Sequence, residues 1–542
     1  SPAENHLGVW VILIPVLGSL IVGVMARFGS PAIRGHGIPE VMERVLIGES
    51  RIAPRITILK PVGTAIAIGS GGPFGAEGPI IATGGALGSL VGQALRVTAD
   101  ERKVLLAAGA AAGMSAVFGS PVSATILAVE LLLFEYRARS LAPVALATAT
   151  AAAVRIAFHG SDAVFPMGAI ATPSGLALAA YTAIGVFVGA LGVAISKALY
   201  KIEDTFEHLP IHWMWWPAIG GLVVGVMGYI SPRTLGVGYD NITGLLNGSI
   251  AGQALLVLVV CKLISWSIAL GSGTAGGTLA PLFTIGGGAG VLVGAVVAAV
   301  LPSFGIDPRV AGLVGMAAAF TGASRALLAS VVFAFEATRQ PMGLLPLLAG
   351  CTGAYLISLR TMKDTIMTER LSRRGTPVIT EYSADFLAGQ LVRNRALKPV
   401  VTIPADRPIA AVRSWITSEA APTHQGFPVI DADGRVVGVL TRRDLLAPNA
   451  NDAAPVRTLV HRAPVVVSGQ HSLRDAADLM VQARVGRLPV LAEDGSGRIV
   501  GIITRSDLLA AHERRLDETR RVAEATLWGS GGEATRTDPR SP

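Results

Sequence analysis

Along this chain apolar positions come in long blocks separated by short polar joints, a pattern that predicts membrane-length helices. Runs with few or no charges cover 7–26, 176–196, 217–230, 310–335 and 342–359. A helix needs about 20 apolar residues to cross a hydrocarbon layer. Some runs fall short of that and others exceed it, which predicts tilted and broken helices whose backbone groups are satisfied by neighbouring segments or a watery cavity. Stretches such as LLAAGAAAGMSA and GGGAGVLVGAVVAAV predict close packing through small residues. Beyond Thr361 the pattern changes and charges return. There FPVIDADGRVVGVLTRRDLL (427–446) parallels LPVLAEDGSGRIVGIITRSDLL (488–509), each reading as strand, Asp/Gly turn, strand and helix start. Helices are expected over RPIAAVRSWIT and SLRDAADLMVQA, ahead of those strands. The closing GSGGEATRTDPRSP is polar and Gly/Pro-rich, and is expected to be disordered.

Composition agrees with a membrane protein: 51% of residues are hydrophobic, 15% are charged, and mean hydropathy is +0.56. The net charge of +8 does not point to nucleic acid, because RLSRRG (370–375) follows the last apolar run, where cytoplasmic positive charge is expected. That basicity is read as orientation. Cys261 and Cys351 both lie in apolar segments and are expected to be packing residues rather than a disulfide or metal site. The opening SPAENHLGVWVILI has no basic leader before a run of spanning length, so no cleavable signal is expected. The absence of an initiator Met suggests that the N-terminal start is missing.

Two glycine-rich segments interrupt the apolar blocks. GSGGPFGAEGPI (69–80) is echoed 202 positions later by GSGTAGGTLAPL (271–282), with Gly, Ser, Gly, a seventh-place Gly and an eleventh-place Pro in common. At the same offset GMSAVF (113–118) matches GMAAAF (315–320), and each leads into an apolar helix with one glutamate, Glu130 or Glu336. A shared offset predicts a duplicated half; transporters commonly contain two such halves of opposite topology, with a substrate held near the midplane by discontinuous helices. A helix that starts inside the membrane exposes unpaired N–H groups and partial positive charge, a place that suits an anion. Glu77 falls in the first segment where the second has Leu279. An ionisable group there is costly and usually faces a pathway, so Glu77 is expected to compete with the anion and to move aside when protonated. The alternative is a glutamate that caps its own helix start.

The motifs GHGIPE (35–40), GAEGP (75–79) and GGTLAP (276–281), followed by the C-terminal repeat pair, resemble the CLC family of chloride channels and proton-coupled chloride exchangers. The resemblance runs from the first apolar block to about Leu509. It implies a mainly α membrane protein, an inverted-repeat bundle of tilted and broken helices in a plasma or inner membrane, with a cytoplasmic α/β CBS pair. The domains expected are 1–360 for anion transport, 361–396 as linker, 397–449 and 450–512 as the two CBS repeats, and 513–542 as tail. A homodimer with one anion pathway per subunit is implied, with Glu77 as external gate and His36, Gly37, Ile38, Gly75, Ala76, Thr278, Leu279 and Met367 around the anion.

Several positions depart from the family's pattern. His36 replaces a serine that usually helps hold the central anion; an imidazole N–H also donates, and its titration would make occupancy pH-dependent. The alternative is a histidine merely packed at a helix start. Leu279 replaces a phenylalanine and leaves the amides of Thr278 and Leu279 as donors. Met367 replaces a late tyrosine, which makes chloride selectivity less secure and leaves fluoride or nitrate open. The exchangers' internal proton glutamate falls on Leu131, beside Glu130. A leucine cannot relay protons, so channel-like conduction is the first expectation and proton-coupled exchange the alternative. The CBS resemblance implies an adenine nucleotide near Thr441, Asp444, Thr504 and Asp507, against the reading that the aspartates are helix N-caps.

Other classes fit less well. A phosphate-cradling enzyme would need a GK[ST] that these glycine runs lack. A cation channel would need acidic clusters in the membrane part, and a DNA-binding protein would need a coherent basic patch on a soluble fold. No enzyme activity, metal or required cofactor is expected.

Overall fold

The computed structural model describes residues 7–47, 49–374, 387, 390–396, 400–418, 424–448, 451–513 and 517. They form two compact units, one ending in the 374 segment and one starting at 387.

Helices of the first unit come in two series of matching order. The first runs Leu13–Phe28, Ile38–Ile47, Pro54–Gly69, Glu77–Ala94, Ala99–Phe118, Pro121–Ala128 and Ala138–His159. The second runs Trp216–Ile230, Tyr239–Leu246, Gly252–Gly271, Leu279–Val300, Pro308–Ser324, Leu327–Thr338 and Leu344–Thr361, with the 33-residue Gly175–Glu207 between the series. Equivalent residues of the two series touch reciprocally. The Gly75 amide donates to the Gly277 carbonyl at 3.2 Å and the Gly277 amide to the Gly75 carbonyl at 2.8 Å, as an antiparallel pair. Glu130 accepts from the amides of Leu328 and Ala329 at 3.1 Å each, while Glu336 accepts from Val122 at 3.1 Å and Ser123 at 2.8 Å. Such exchange is what a local two-fold axis produces, and it makes the duplicated halves an inverted repeat.

The Glu130/Glu336 exchange also explains why two short helices hold together. Each carboxylate answers the unpaired amides and positive end of the other half's helix. Replacing Glu336 by Ala is expected to cost about 2 kcal/mol, the scale of hydrogen bonds to a charged group. Thermal unfolding in detergent checks this; a Glu336→Ala midpoint equal to the parent's would contradict it.

Small residues set the helix spacing, as predicted. A β-carbon on Gly84 would lie 2.2 Å from the Gly109 carbonyl oxygen, and one on Gly286 would lie 2.6 Å from that of Gly315. The same crossing therefore occurs once in each half, with backbones in direct contact. Cys261 and Cys351 are both buried and unbridged.

Among the described residues, seven helices are long and apolar enough to cross a membrane. Four of them, Gly8–Phe28, Gly175–Glu207, Trp213–Ile230 and Pro341–Thr361, match predicted runs. The predicted run 310–335 is corrected to two helices that break at Arg325, which takes a left-handed φ of 62°. Its guanidinium leaves the helix to meet the carbonyls of Ser358 and Met362, at the exposed end of Leu344–Thr361. A cation there is favoured by the partial negative charge of the helix's C-terminal carbonyls.

The second unit contains two copies of one motif. Strand Ile403–Pro404 pairs parallel to Gly426–Ile430, which pairs antiparallel to Val436–Thr441; Val467–Ser468, Arg487–Leu491 and Ile499–Thr504 repeat the order. Even the register irregularity recurs, at Val429/Ile430 and at Val490/Leu491. Helices Ile409–Thr417 and Leu473–Gln482 precede the hairpins, as expected. Val392 and Arg393 donate to the carbonyls of His471 and Gly469, so this part of the expected linker packs on the second repeat. Of the expected tail, only 513 and 517 lie within the described residues.

Candidate functional site

Three helices, Ile38–Ile47, Glu77–Ala94 and Leu279–Val300, begin inside the first unit, and their leading loops meet. Gly75 and Gly277 join the second and third, and the Gly276 amide donates to the Gly35 carbonyl at 3.4 Å to join the third to the first. Proline stands in each opening turn, at Pro39, Pro79 and Pro281, where its missing N–H costs nothing. Gly37 takes a φ of +92°, and Gly78 lies so near that a β-carbon there would sit 1.9 Å from the His36 carbonyl oxygen. The sequence-predicted residues His36, Gly37, Gly75, Thr278 and Leu279 are thus brought together and are buried, with Ile38 and Ala76 leading their helices. What the loops present is a ring of amide-rich helix starts, a chemistry suited to a desolvated anion.

Glu77 stands at the centre of these loops and is 0% exposed. Its Oε1 accepts from the Tyr239 hydroxyl at 2.9 Å, and its Oε2 is buried without a hydrogen-bond partner among the described residues. That oxygen packs on the two symmetry-related glycines: a β-carbon on Gly277 would approach it to 2.8 Å, and one on Gly75 closer still. Two further polar atoms nearby, His36 Nδ1 and Thr278 Oγ1, are buried and unpartnered. Orphaned buried polar atoms are rare and call for an occupant or a mobile partner.

Sequence reasoning missed Tyr239, Lys60 and Lys262. Lys60 Nζ donates to the carbonyls of Ile33 at 2.9 Å and Gly35 at 3.0 Å, and so fixes the loop that carries His36. Lys262 Nζ donates to Thr234 at 3.0 Å and Gly236 at 2.9 Å, and so fixes the loop that carries Tyr239. The two lysines are 202 positions apart, the same offset as the glycine motifs, and that coincidence was the available signal.

Other predicted positions make no polar contact with the three loops among the described residues. Leu131 is buried in a wide helical turn over Val129–Leu133, and its neighbour Glu130 is engaged at the helix start described above. Met367 is buried in the segment after Leu344–Thr361, where the Ile366 amide donates to Ala323 and the Tyr200 hydroxyl to the Ile366 carbonyl. No polar contact joins Met367 to the three loops among the described residues. Three residues on, Arg370 does reach them, through Glu40 at 3.5 Å, and pairs with Glu203 at 2.6 Å. These groups line a cavity of about 590 Å³ with Arg34, Lys60 and Gly37, a polar vestibule on one side of the loops.

In the second unit each aspartate closes a capping box. Asp444 accepts from the Thr441 amide and hydroxyl at 2.8 and 2.7 Å, and Asp507 from those of Thr504 at 2.8 and 2.6 Å. Thr441 is therefore the N-cap of its helix and Asp444 the third helical residue.

Discontinuous helices from two inverted halves, meeting around one buried carboxylate in a bundle of membrane-length helices, define an integral membrane transport protein. Residues 18–359 match the voltage gated chloride channel family, and 392–448 and 456–514 each match the CBS domain. The chain belongs to the CLC family and carries a C-terminal CBS pair. It is 27% identical to a putative chloride channel protein ClcB-like from Ralstonia nicotianae, over 67% of this chain and 85% of that one. It is 31% identical to the H(+)/Cl(-) exchange transporter ClcA of Vibrio campbellii, over 69% and 82% of the two chains. The crystal structure of a slow cyanobacterial Cl-/H+ antiporter superposes with a TM-score of 0.63 at 23% identity, over 67% of this chain and 86% of that one.

Proposed function

We propose that this protein exchanges chloride for protons across the membrane, with Glu77 alternately occupying the anion site and carrying the proton. Of the two readings left open by the sequence, the exchanger is preferred over the channel. A relative at 31% identity is named an exchange transporter, and Leu131 argues only against one proton route. The observation that carries the proposal is the placement of Glu77: a fully buried carboxyl, one oxygen on Tyr239 and the other unpartnered against Gly75 and Gly277. A carboxylate there excludes an anion by charge and volume; protonation removes the charge, and the neutral side chain is then free to move aside and yield the volume. His36, Gly37, Ile38, Ala76, Thr278 and Leu279 are the proposed anion contacts. We further propose a homodimer with the CBS unit on the cytoplasmic side, the side RLSRRG favours. Nucleotide binding at that unit would have to approach Thr441, Asp444, Thr504 and Asp507 beside their capping bonds.

Purified protein in proteoliposomes tests this reading. A chloride gradient should drive proton movement in the opposite direction, whereas a gradient that moves chloride with no protons would return the channel reading. Competition with nitrate and fluoride in the same assay ranks the anions.

Tyr239→Phe probes the geometry directly. The hydroxyl stabilises Glu77 in the position that competes with the anion, and a hydrogen bond to a charged group contributes about 1.5–3 kcal/mol. Its removal is expected to lower the half-saturating chloride concentration roughly tenfold. An unchanged value would mean that the hydroxyl does not hold the competing state.

A further inference from the structure

Proton exchange needs a path from the vestibule to Glu77, and the position that serves this in the family's exchangers is a buried leucine here. The described residues hold eight buried side-chain atoms or groups without a hydrogen-bond partner; among the titratable ones are Glu40 Oε2, His36 Nδ1 and Glu77 Oε2. Glu40 lines the vestibule, on the first turn of Ile38–Ile47. His36 lies outside that helix, before Gly37 with its φ of +92°; it is 1% exposed, its carbonyl lies against Gly78, the neighbour of Glu77, and a β-carbon on the preceding Gly35 would sit 2.9 Å from Glu40 Oε1. The loop at Gly35 and His36 therefore stands between the Glu40 carboxyl and the turn that carries Glu77.

We infer that Glu40 and His36 carry the proton between the vestibule and Glu77. Resting on the exchanger reading above, the step balances as follows. Glu40 takes a proton from vestibule water on its carboxyl and, by a side-chain rotation that brings the acid to the ring, passes it to the imidazole nitrogen Nδ1, which forms an imidazolium. The imidazolium then releases one proton toward Glu77 Oε2, which leaves a neutral ring and a protonated Glu77; the reverse sequence returns it. An imidazole relays well because each nitrogen both accepts and donates.

The charged groups around the pair fit this task. Arg370 binds the other oxygen of Glu40, Oε1, at 3.5 Å and is itself shared with Glu203 at 2.6 Å, so Glu40 is held without both its oxygens being engaged. Lys60 spends its bonds on the carbonyls of Ile33, Arg34 and Gly35 rather than on Glu40. The Arg34 guanidinium stacks 4.7 Å from the Trp213 ring. Glu43, the next acid along the helix, is paired to Arg374 at 2.7 Å and has no such position in the series.

The experiment measures protons moved per chloride in proteoliposomes for the parent, Glu40→Gln, His36→Ser, Glu40→Asp and Glu43→Gln. The ratio is expected to fall at least about tenfold in Glu40→Gln and in His36→Ser, since a positioned proton carrier typically contributes about 100-fold or more. Glu40→Asp, which keeps a carboxyl, should retain most of the ratio, and Glu43→Gln all of it. Because the readout is a ratio, a variant inserted at lower yield still reports. A parental ratio in either Glu40→Gln or His36→Ser overturns the inference, as does an equal fall in Glu43→Gln. A parent that moves chloride without protons would instead remove the exchanger reading itself.

Discussion

Glu77→Gln is expected to abolish chloride-driven proton movement, by at least about 100-fold, while chloride flux continues. The substitution keeps the shape of the side chain and an oxygen that can still accept from Tyr239, at the place where Oε1 now accepts at 2.9 Å. What it removes is the ability to take or release a proton and the negative charge that competes with an anion. A buried carboxylate among helix starts is favoured by their partial positive charge, so a neutral amide leaves that charge to the anion alone. Lys262 supports the same arrangement at one remove, since it fixes the loop that ends in Tyr239. Chloride and pH electrodes on one liposome preparation give both fluxes. Proton coupling equal to the parent's in Glu77→Gln would remove Glu77 from the gate.

Much of this site is legible in the sequence because its cause is local. A helix that starts in an apolar setting needs small residues where its backbone turns, so GHGIPE, GAEGP and GGTLAP announce themselves, and the common offset pairs two of them. The carboxylate in GAEGP is conspicuous for the same reason, being costly unless it faces a pathway. Tyr239 is not legible that way. It is an ordinary aromatic residue beside Phe118 and Phe165, with ring centroids at 5.8 and 5.9 Å, until folding brings its hydroxyl to a residue 162 positions away. Lys60 and Lys262 hide behind the rule that charges interrupt membrane helices, although their partners are backbone carbonyls that only the fold assembles. Lys262 for this reason obscured the span Gly252–Gly271, as Arg155 obscured Ala138–His159, while the glycines of Leu279–Val300 drew attention from its length. The break at Arg325 is likewise a long-range effect, set by carbonyls more than 30 residues further on. The aspartates of the CBS repeats show the converse: Thr-x-x-Asp is a local capping signal, and the structure uses it as one.

Gly78→Ala should produce a comparably large loss, this time in chloride flux. A β-carbon at 78 would lie 1.9 Å from the His36 carbonyl oxygen, a backbone atom that cannot rotate away. Relief requires the loop of Gly35–Gly37 and the start of Glu77–Ala94 to separate by an ångström or so, and a misplacement of that size in a positioned site costs about 100-fold. Alanine is otherwise a better helix former than glycine, so the helix itself is not weakened. The expected result is a folded protein that elutes as the parent does and transports about 100-fold more slowly. Gly175→Ala, at a helix start with nothing within 4 Å of its added carbon, is the control and should match the parent. Parental flux in Gly78→Ala would show that contact between these two loops is not what transport depends on.

The central claim is that an anion binds where the three interrupted helices point, in competition with Glu77. Anomalous diffraction from crystals of Glu77→Gln grown in bromide tests it most directly. The account predicts a bromide peak within hydrogen-bonding distance of the amides at Ile38 and at Thr278 or Leu279, beside His36. A bromide signal confined to the vestibule around Arg34 and Arg370, or absent from the protein altogether, would contradict it.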